Sequence, residues 1–367
     1  MENFNDRGLF TVTRKVKALQ SALLDWYGSH KRVMPWRAVR GRPNPYHVWL
    51  SEIMLQQTTV ATVGPYFQKF IQRWPTVSDL AGASQDEVLT AWAGLGYYAR
   101  ARNLHKCANV IDKEFKGKFP NAEAALLTLP GVGPYTAAAI ASIAFGRQAV
   151  AVDGNVERVV SRYFAVKEPL PASKPLLKEK AVWLAQNNPN PADFTQAFME
   201  LGATVCTPRS PKCGLCPWQK TCKAKKDGIT SALPTKLKKK SQPVRYGDVF
   251  WIVRSDGAFL AQKRGSEGLY AGMYQLPTTD WVKNAKVMRA TALEGFEHVK
   301  FLPVDVKIKH SFTHFDLVLS LHVVKTQRKS LDKKLKDSLW VLPKDIDNYA
   351  FPTLMKKVMR VARQSGY

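Results

Sequence analysis

The chain has 367 residues, 45% of them hydrophobic, and its 55 Lys and Arg against 29 Asp and Glu give a formal net charge of +26. That apolar share excludes a wholly disordered chain, and no apolar run approaches the roughly 20 residues needed to cross a bilayer. The start MENFNDRGLF lacks the basic-then-apolar pattern of a secretory signal, so a soluble intracellular protein is expected, with a polyanionic partner bound in a salt-sensitive way.

In chain order, the first chemically informative element is VWLSEIML, a predicted helix carrying Glu52 beside apolar Trp49, Ile53 and Leu55. Poor solvation there would raise the carboxyl pKa and let Glu52 act as an acid near neutral pH; an ordinary acid on a helix face is the plain alternative. The segments DEVLTAWAGL, ARNLHKCANVI, PYTAAAIASIAF and NVERVVSRYF place apolar side chains at three- and four-residue intervals, which predicts helices. Cys107, inside the second of them, is expected to be a small core residue. Leu129 to Gly133 spell LPGVG just before Pro134, which suits a first helical position. The two glycines permit a tight turn that leaves backbone amides free to hold a phosphate, although turns between helices use such glycines without a ligand too. Asp153 precedes Gly154 and Asn155, and Asn155 is the predicted cap of the helix that follows. A carboxylate at such a helix start is stabilised in its charged form, so Glu52 and Asp153 are expected to be tuned in opposite directions.

Cys206, Cys213, Cys216 and Cys222 form the densest cysteine run, with Pro208, Pro211 and Pro217 bending the chain between them. Four thiolates this close can converge on one inorganic centre, either a [4Fe-4S] cluster or a four-coordinate zinc. Zinc sites more often use two close pairs set further apart, which favours the cluster. From Lys223 to Arg245 the chain has eight basic residues and one acid, with Pro234 and Pro243, and is expected to be a linker. Strand signals dominate after it. VFWIVRSDGAFLAQKR reads as two strands around an Asp256-Gly257 turn, and Phe315, Leu317, Leu319, Leu321 and Val323 alternate strictly with other residues. A last helix, PTLMKKVMRVAR, is expected to begin with Pro352 in its first turn.

Taken together, LPGVG followed by a helix, VDGNVERV, and the cysteine run resemble the helix-hairpin-helix DNA glycosylases of the endonuclease III type. PWR at Pro35 to Arg37, PYHVWLSEIMLQQTTVATVGPYF and GLGYYARARNLH look like the MutY family of adenine DNA glycosylases, and the likeness is dense over residues 25–222. The resemblance implies an all-helical glycosylase body with a [4Fe-4S] cluster over residues 1–222, a basic linker over 223–245, and a Nudix-like α+β domain over 246–367. It further implies a monomer that acts on duplex DNA holding adenine opposite 8-oxoguanine or guanine, cytoplasmic and nucleoid-associated if bacterial.

In the family's pattern Glu52 protonates the flipped adenine, Asp153 stabilises the sugar cation, and Tyr135 lines the pocket and hydrogen-bonds the acid, with Asn155 beside them. Gln57 and Tyr97 enter the duplex, while Leu129, Gly131, Val132 and Gly133 form the hairpin on the backbone. The lyase relatives have a lysine two places after LPGVG; Tyr135 stands there and cannot form an imine, so a monofunctional enzyme is expected. The cysteine loop is expected to brace a phosphate-facing surface carrying Arg209, Lys212 and Lys220.

GLYAGMYQLP resembles the strand-turn region of a Nudix domain. Between Gly265 and Lys300 the only acids are Glu267, Asp280, Glu294 and Glu297, too scattered for the paired glutamates that hold magnesium, so no nucleotide hydrolysis is expected. HSFTHF resembles the family's loop for the opposite base, with Phe312, Thr313 and His314 as the reading residues; Thr313 replaces the usual serine and keeps the hydroxyl. Two other functions fit parts of this pattern: a lyase-type glycosylase for oxidised pyrimidines, and a non-enzymatic DNA-binding module.

Overall fold

The computed structural model describes residues 6–38, 41–237, 241–283, 300–327, 335 and 337–366, with the side chains of 6–13 left aside. They form two compact units, one of residues 1–81 with 106–238 and the other of 82–105 with 239–367. The helices are α1 Asp6–His30, α2 Pro45–Leu55, α3 Val60–Arg73, α4 Val77–Gly82, α5 Gln85–Trp92, α6 Ala99–Phe115, α7 Glu123–Leu126, α8 Pro134–Ile143, α9 Gly154–Phe164, α10 Lys174–Ala185, α11 Pro191–Thr204 and α12 Lys223–Lys226. The four segments with helical periodicity become α5, α6, α8 and α9. A capping box between Ser84 and Glu87 starts α5.

In the first unit, one core gathers Leu23 and Tyr27 of α1, Val156, Val160 and Tyr163 of α9, Leu177 and Leu184 of α10, and Phe198 and Leu201 of α11. Trp218 joins it from the cysteine loop and donates from its indole to the Leu19 carbonyl at 2.9 Å. Helix α8 buries Thr136 through Ile143. Its alanines leave little side-chain bulk, so α2 packs closely against it. The basic stretch after Cys222 begins as structure: α12 packs on α9, Leu233 is buried, and Leu170 donates to the Thr235 carbonyl.

In the second unit, strands β1 Val244–Arg254, β2 Phe259–Lys263, β3 Tyr274–Gln275, β4 Leu302–Ser311, β5 Asp316–Thr326 and β6 Ser338–Val341 form one sheet. Its order is β3-β2-β1-β5-β4, with β6 beside β2. β1 runs parallel to β5; its other neighbour, β2, is antiparallel and follows a turn that contains Gly257 at φ 81°. The alternating run lies in β5, where Leu317, Leu319, Leu321 and Val323 are buried. Helix α13, Thr353–Gln364, buries Leu354, Met355, Val358, Met359 and Ala362 on one stripe and packs against β5. Pro352 is its N-cap, one place earlier than expected, because its ψ of 153° is still extended. A Cβ on Gly247 of β1 would come within 2.7 Å of the Trp281 ring, so that ring closes over the strand only where there is no side chain.

Among the described residues no helix is long and apolar enough to cross a membrane. The absence of paired magnesium-holding acids cannot be followed to Glu294 and Glu297, which lie outside the described residues.

Candidate active site

Glu52 sits midway along α2, whose start is fixed by Asn44 accepting from the Tyr46 N–H at 2.9 Å and by Pro45 in the first turn. Its helix neighbours Trp49, Ile53 and Met54 are buried, and the residue itself is only 8% exposed. Burial pushes its carboxyl up to about 7, against the opposing hydrogen bond from Tyr135. The nearby Asp153 charge adds to the rise and Arg37 reduces it. Tyr135, in the first turn of α8, donates its hydroxyl to Glu52 Oε2 at 2.8 Å. That bond favours the ionised acid. Tyr135→Phe should therefore move the alkaline limb of the single-turnover pH profile upward; an unmoved limb would mean that another group sets it.

Asp153, rather than Asn155, caps α9. Its backbone is extended, with φ −97° and ψ −178°, and its Oδ1 accepts from the N–H groups of Asn155 at 3.0 Å and Val156 at 2.8 Å. Asn155 already lies inside the helix, so its side chain does different work. Its amide donates to Asp153 Oδ2 at 2.7 Å, and its carbonyl oxygen accepts from Arg158 at 2.8 Å. Arg158 reaches onward to the carbonyls of Gly202 at 2.6 Å and Cys206 at 2.7 Å. A hydrogen-bonded chain thus links the Asp153 carboxylate to the backbone of the first cysteine of the cluster loop. Gly202 permits this closeness, since a Cβ there would stand 2.6 Å from that of Asn155.

Glu52, Tyr135, Asp153 and Asn155 line one cavity of about 1080 Å³, and so do Gln57, Gly131 and Gly133. Leu129 and Val132 are instead buried beneath the hairpin, so they contribute backbone and packing. Gly131, with φ 74°, makes the turn, and Val132 N–H closes it on the Leu129 carbonyl at 3.1 Å. Gly133 is exposed and precedes Pro134 with no side-chain cap, which leaves the start of α8 open to an anion. Gln57 has φ 58°, a costly conformation for a residue with a side chain.

The same cavity holds residues that sequence reasoning left without a role. Glu200 is 1% exposed and pairs with Arg32 and with Arg37, the latter at 2.8 Å. Burial would push its carboxyl up, but the hydrogen bonds and charges of the two arginines outweigh that and hold it below the usual range. Arg37 belongs to the PWR segment, and an acid inside the otherwise apolar FMELG of α11 was the available signal for Glu200.

In the second unit, Phe312 to Phe315 form the tight turn between β4 and β5, closed by Phe312 N–H to the Phe315 carbonyl at 2.8 Å. Thr313 and His314 are exposed at its tip, while the Phe312 ring rests on Trp281 and Tyr270. Tyr97, half exposed with φ 48°, lies 3.2 Å from the Thr313 hydroxyl through its own, and Gln242 donates to the Thr313 carbonyl. The expected wedge and the expected reading loop are thus in contact.

Cys206, Cys213, Cys216 and Cys222 line one small cavity of the first unit. Among the described residues no group of His, Cys, Asp and Glu is drawn together as a single metal ion requires. Four thiols around one space can converge on one inorganic centre. Arg162 of α9, fully buried, donates to Cys206 Sγ at 3.4 Å and to the carbonyls of Thr207, Pro208 and Leu233. Cys213→Ser should lower thermal stability and duplex affinity together, checked by melting and by titration of labelled DNA; intact affinity without the cluster would separate the loop from DNA binding. Cys107 lies apart, fully buried, with its thiol pushed up to about 12 by that burial, as befits a core residue.

Comparison with known proteins places these features. Residues 50–186 match the HhH-GPD superfamily of base excision DNA repair proteins, residues 206–225 the iron–sulfur binding domain of endonuclease III, and residues 248–361 the NUDIX domain. An adenine DNA glycosylase of Homo sapiens is 34% identical over 96% of this chain and 75% of its own length. One from Mycolicibacterium smegmatis is 47% identical over 53% of this chain and 66% of its own. Among solved structures, a thermostable thymine-DNA glycosylase, 31% identical, superposes with a TM-score of 0.52 over 59% of this chain and 98% of its own.

Proposed function

The chain belongs to the family of adenine DNA glycosylases, enzymes of base excision repair, and from that premise we propose that it hydrolyses the N-glycosidic bond of adenine opposite 8-oxoguanine or guanine, without a lyase step. The observation that carries this is one cavity holding Glu52, whose carboxyl is pushed up to about 7, together with the helix-capping Asp153. Adenine leaves poorly as an anion and the sugar left behind is a cation, so the reaction needs a proton donor and a negative partner.

In this mechanism the adenine nucleotide is flipped out of the duplex into the cavity. Glu52 gives its proton to the ring, at N7, and the bond between sugar and base breaks with its electron pair passing to the base. Asp153 stabilises the oxocarbenium-like sugar, or captures it transiently. Water then adds at the anomeric carbon and returns a proton to Glu52. The Glu200–Arg32–Arg37 group gives the cavity a fixed polar stretch of wall whose charges are paired with one another. Tyr135 supports the absence of a lyase step, because its phenol holds Glu52 and cannot form an imine.

Cys206, Cys213, Cys216 and Cys222 hold a [4Fe-4S] cluster, which braces the loop they share and has no step in the reaction. We assign residues 1–222 to the glycosylase body, 223–245 to a basic connection and 246–367 to the domain that reads the opposite base. The enzyme works as a monomer, and Phe312, Thr313 and His314 contact 8-oxoguanine. Single-turnover release from duplexes with adenine opposite 8-oxoguanine, guanine and thymine should fall in that order, with Thr313→Ala narrowing the gap between the first two. Equal rates on all three would refute the opposite-base assignment.

A further inference from the structure

A second cavity of about 700 Å³ adjoins the reaction cavity, and the two share Arg32, Met34, Arg37, Pro43, Ile143 and Gln196 in their walls. Its size falls in the range of small-molecule sites. We propose that it is a holding site for the free purine base after excision, an inference that rests on the reaction proposed above. When the bond breaks, the sugar stays on the DNA strand, which covers the mouth through which the nucleotide entered. The adjoining cavity, whose wall includes the exposed Val33, gives the base a place outside the reaction cavity.

Lys31, Arg32, Arg37 and Arg42 line this cavity against one acid, Asp193, so the case for a planar base over a phosphate rests on how these cations are engaged and on the apolar faces between them. Arg32 and Arg37 are committed to the Glu200 carboxylate. Lys31 and Arg37 each lie 5.5 Å from the centre of the Tyr27 ring. Asp193, paired with Asn190 at 2.9 Å, lines the same cavity and opposes an anion there. Ile143, Phe145 and Pro189 give apolar faces, and Gln196 stands at the junction, its NH₂ donating to the Ala192 carbonyl at 3.3 Å and its amide oxygen able to accept from a base edge.

Gly28 lines the chamber from α1, and a Cβ added there would meet nothing within 4 Å. Gly28→Phe should fill the space while removing a helix-weakening glycine, and Ala192→Phe should fill it from α11. The test is equilibrium dialysis of radiolabelled adenine against the full chain bound to an abasic-site duplex, with single-turnover excision measured on the same preparations. We expect both variants to lose at least about tenfold in adenine affinity while excision is unchanged. Unaltered adenine affinity in both would overturn the proposal. So would weakened duplex binding with normal adenine binding, which would give the chamber to the DNA strand. Chamber-dependent adenine binding in a protein that excises nothing would keep the purine site and overturn the reaction instead.

Discussion

Glu52→Gln should slow single-turnover adenine release by about 10²–10⁴-fold, the usual contribution of a positioned proton donor. The same change should stabilise the fold above neutral pH. In the folded chain burial raises the carboxyl from 4.5 to about 7, so the native state holds its proton through a window in which the unfolded chain has lost it. Stability is therefore lost as pH rises through that window. Above it, the buried charge costs on the order of 3 kcal/mol, an upper figure. Glutamine carries no charge and can still accept from Tyr135. Melting curves at pH 5 and pH 8 check this: the advantage of the variant should be small at the lower pH and larger at the higher. A constant difference would show that Glu52 is not the group strained by burial.

Asp153→Asn should reduce excision by at least about 10²–10³-fold, the scale of losing one preorganised electrostatic partner. The fold should persist, because asparagine caps a helix nearly as well as aspartate. Its oxygen can keep the bonds from Asn155 and Val156 N–H, but its NH₂ would then face the Asn155 amide, which now donates to Oδ2. Asn155 must turn, and Arg158 loses an acceptor. The variant should therefore melt lower by the cost of about one hydrogen bond, near 1 kcal/mol. Asp153→Ala removes charge and cap together and should melt lower still. Retained excision in Asp153→Asn with a lowered melting point would reduce Asp153 to a structural cap.

Local pattern made much of this legible in the sequence. Three- and four-residue spacing found α8 and α9, strict alternation found β5, and the apolar neighbours of Glu52 announced its burial. What failed depended on atoms distant in the chain or on one torsion. Asp153 and Asn155 are both good caps two residues apart, and only the extended backbone at Asp153 decides between them. Glu200 meets Arg32 and Arg37 across more than 160 residues, which no local spacing encodes. The second cavity is assembled from α1, the end of α8 and the start of α11, so it exists only once they pack. The cysteine spacing left zinc and iron–sulfur both open, and the match of residues 206–225 to the iron–sulfur binding domain of endonuclease III decides between them.

The central claim is that Glu52 and Asp153 together release adenine by hydrolysis. Its most direct test is quantification of free adenine from a duplex carrying adenine opposite 8-oxoguanine, with strand scission read before and after heat and alkali and trapping by borohydride run as a separate parallel reaction. The account predicts one adenine per alkali-labile site, no scission without alkali, no trapped protein–DNA adduct, and no release by the Glu52→Gln, Asp153→Asn double variant. Scission without alkali together with a trapped adduct, or undiminished release by that variant, would contradict it.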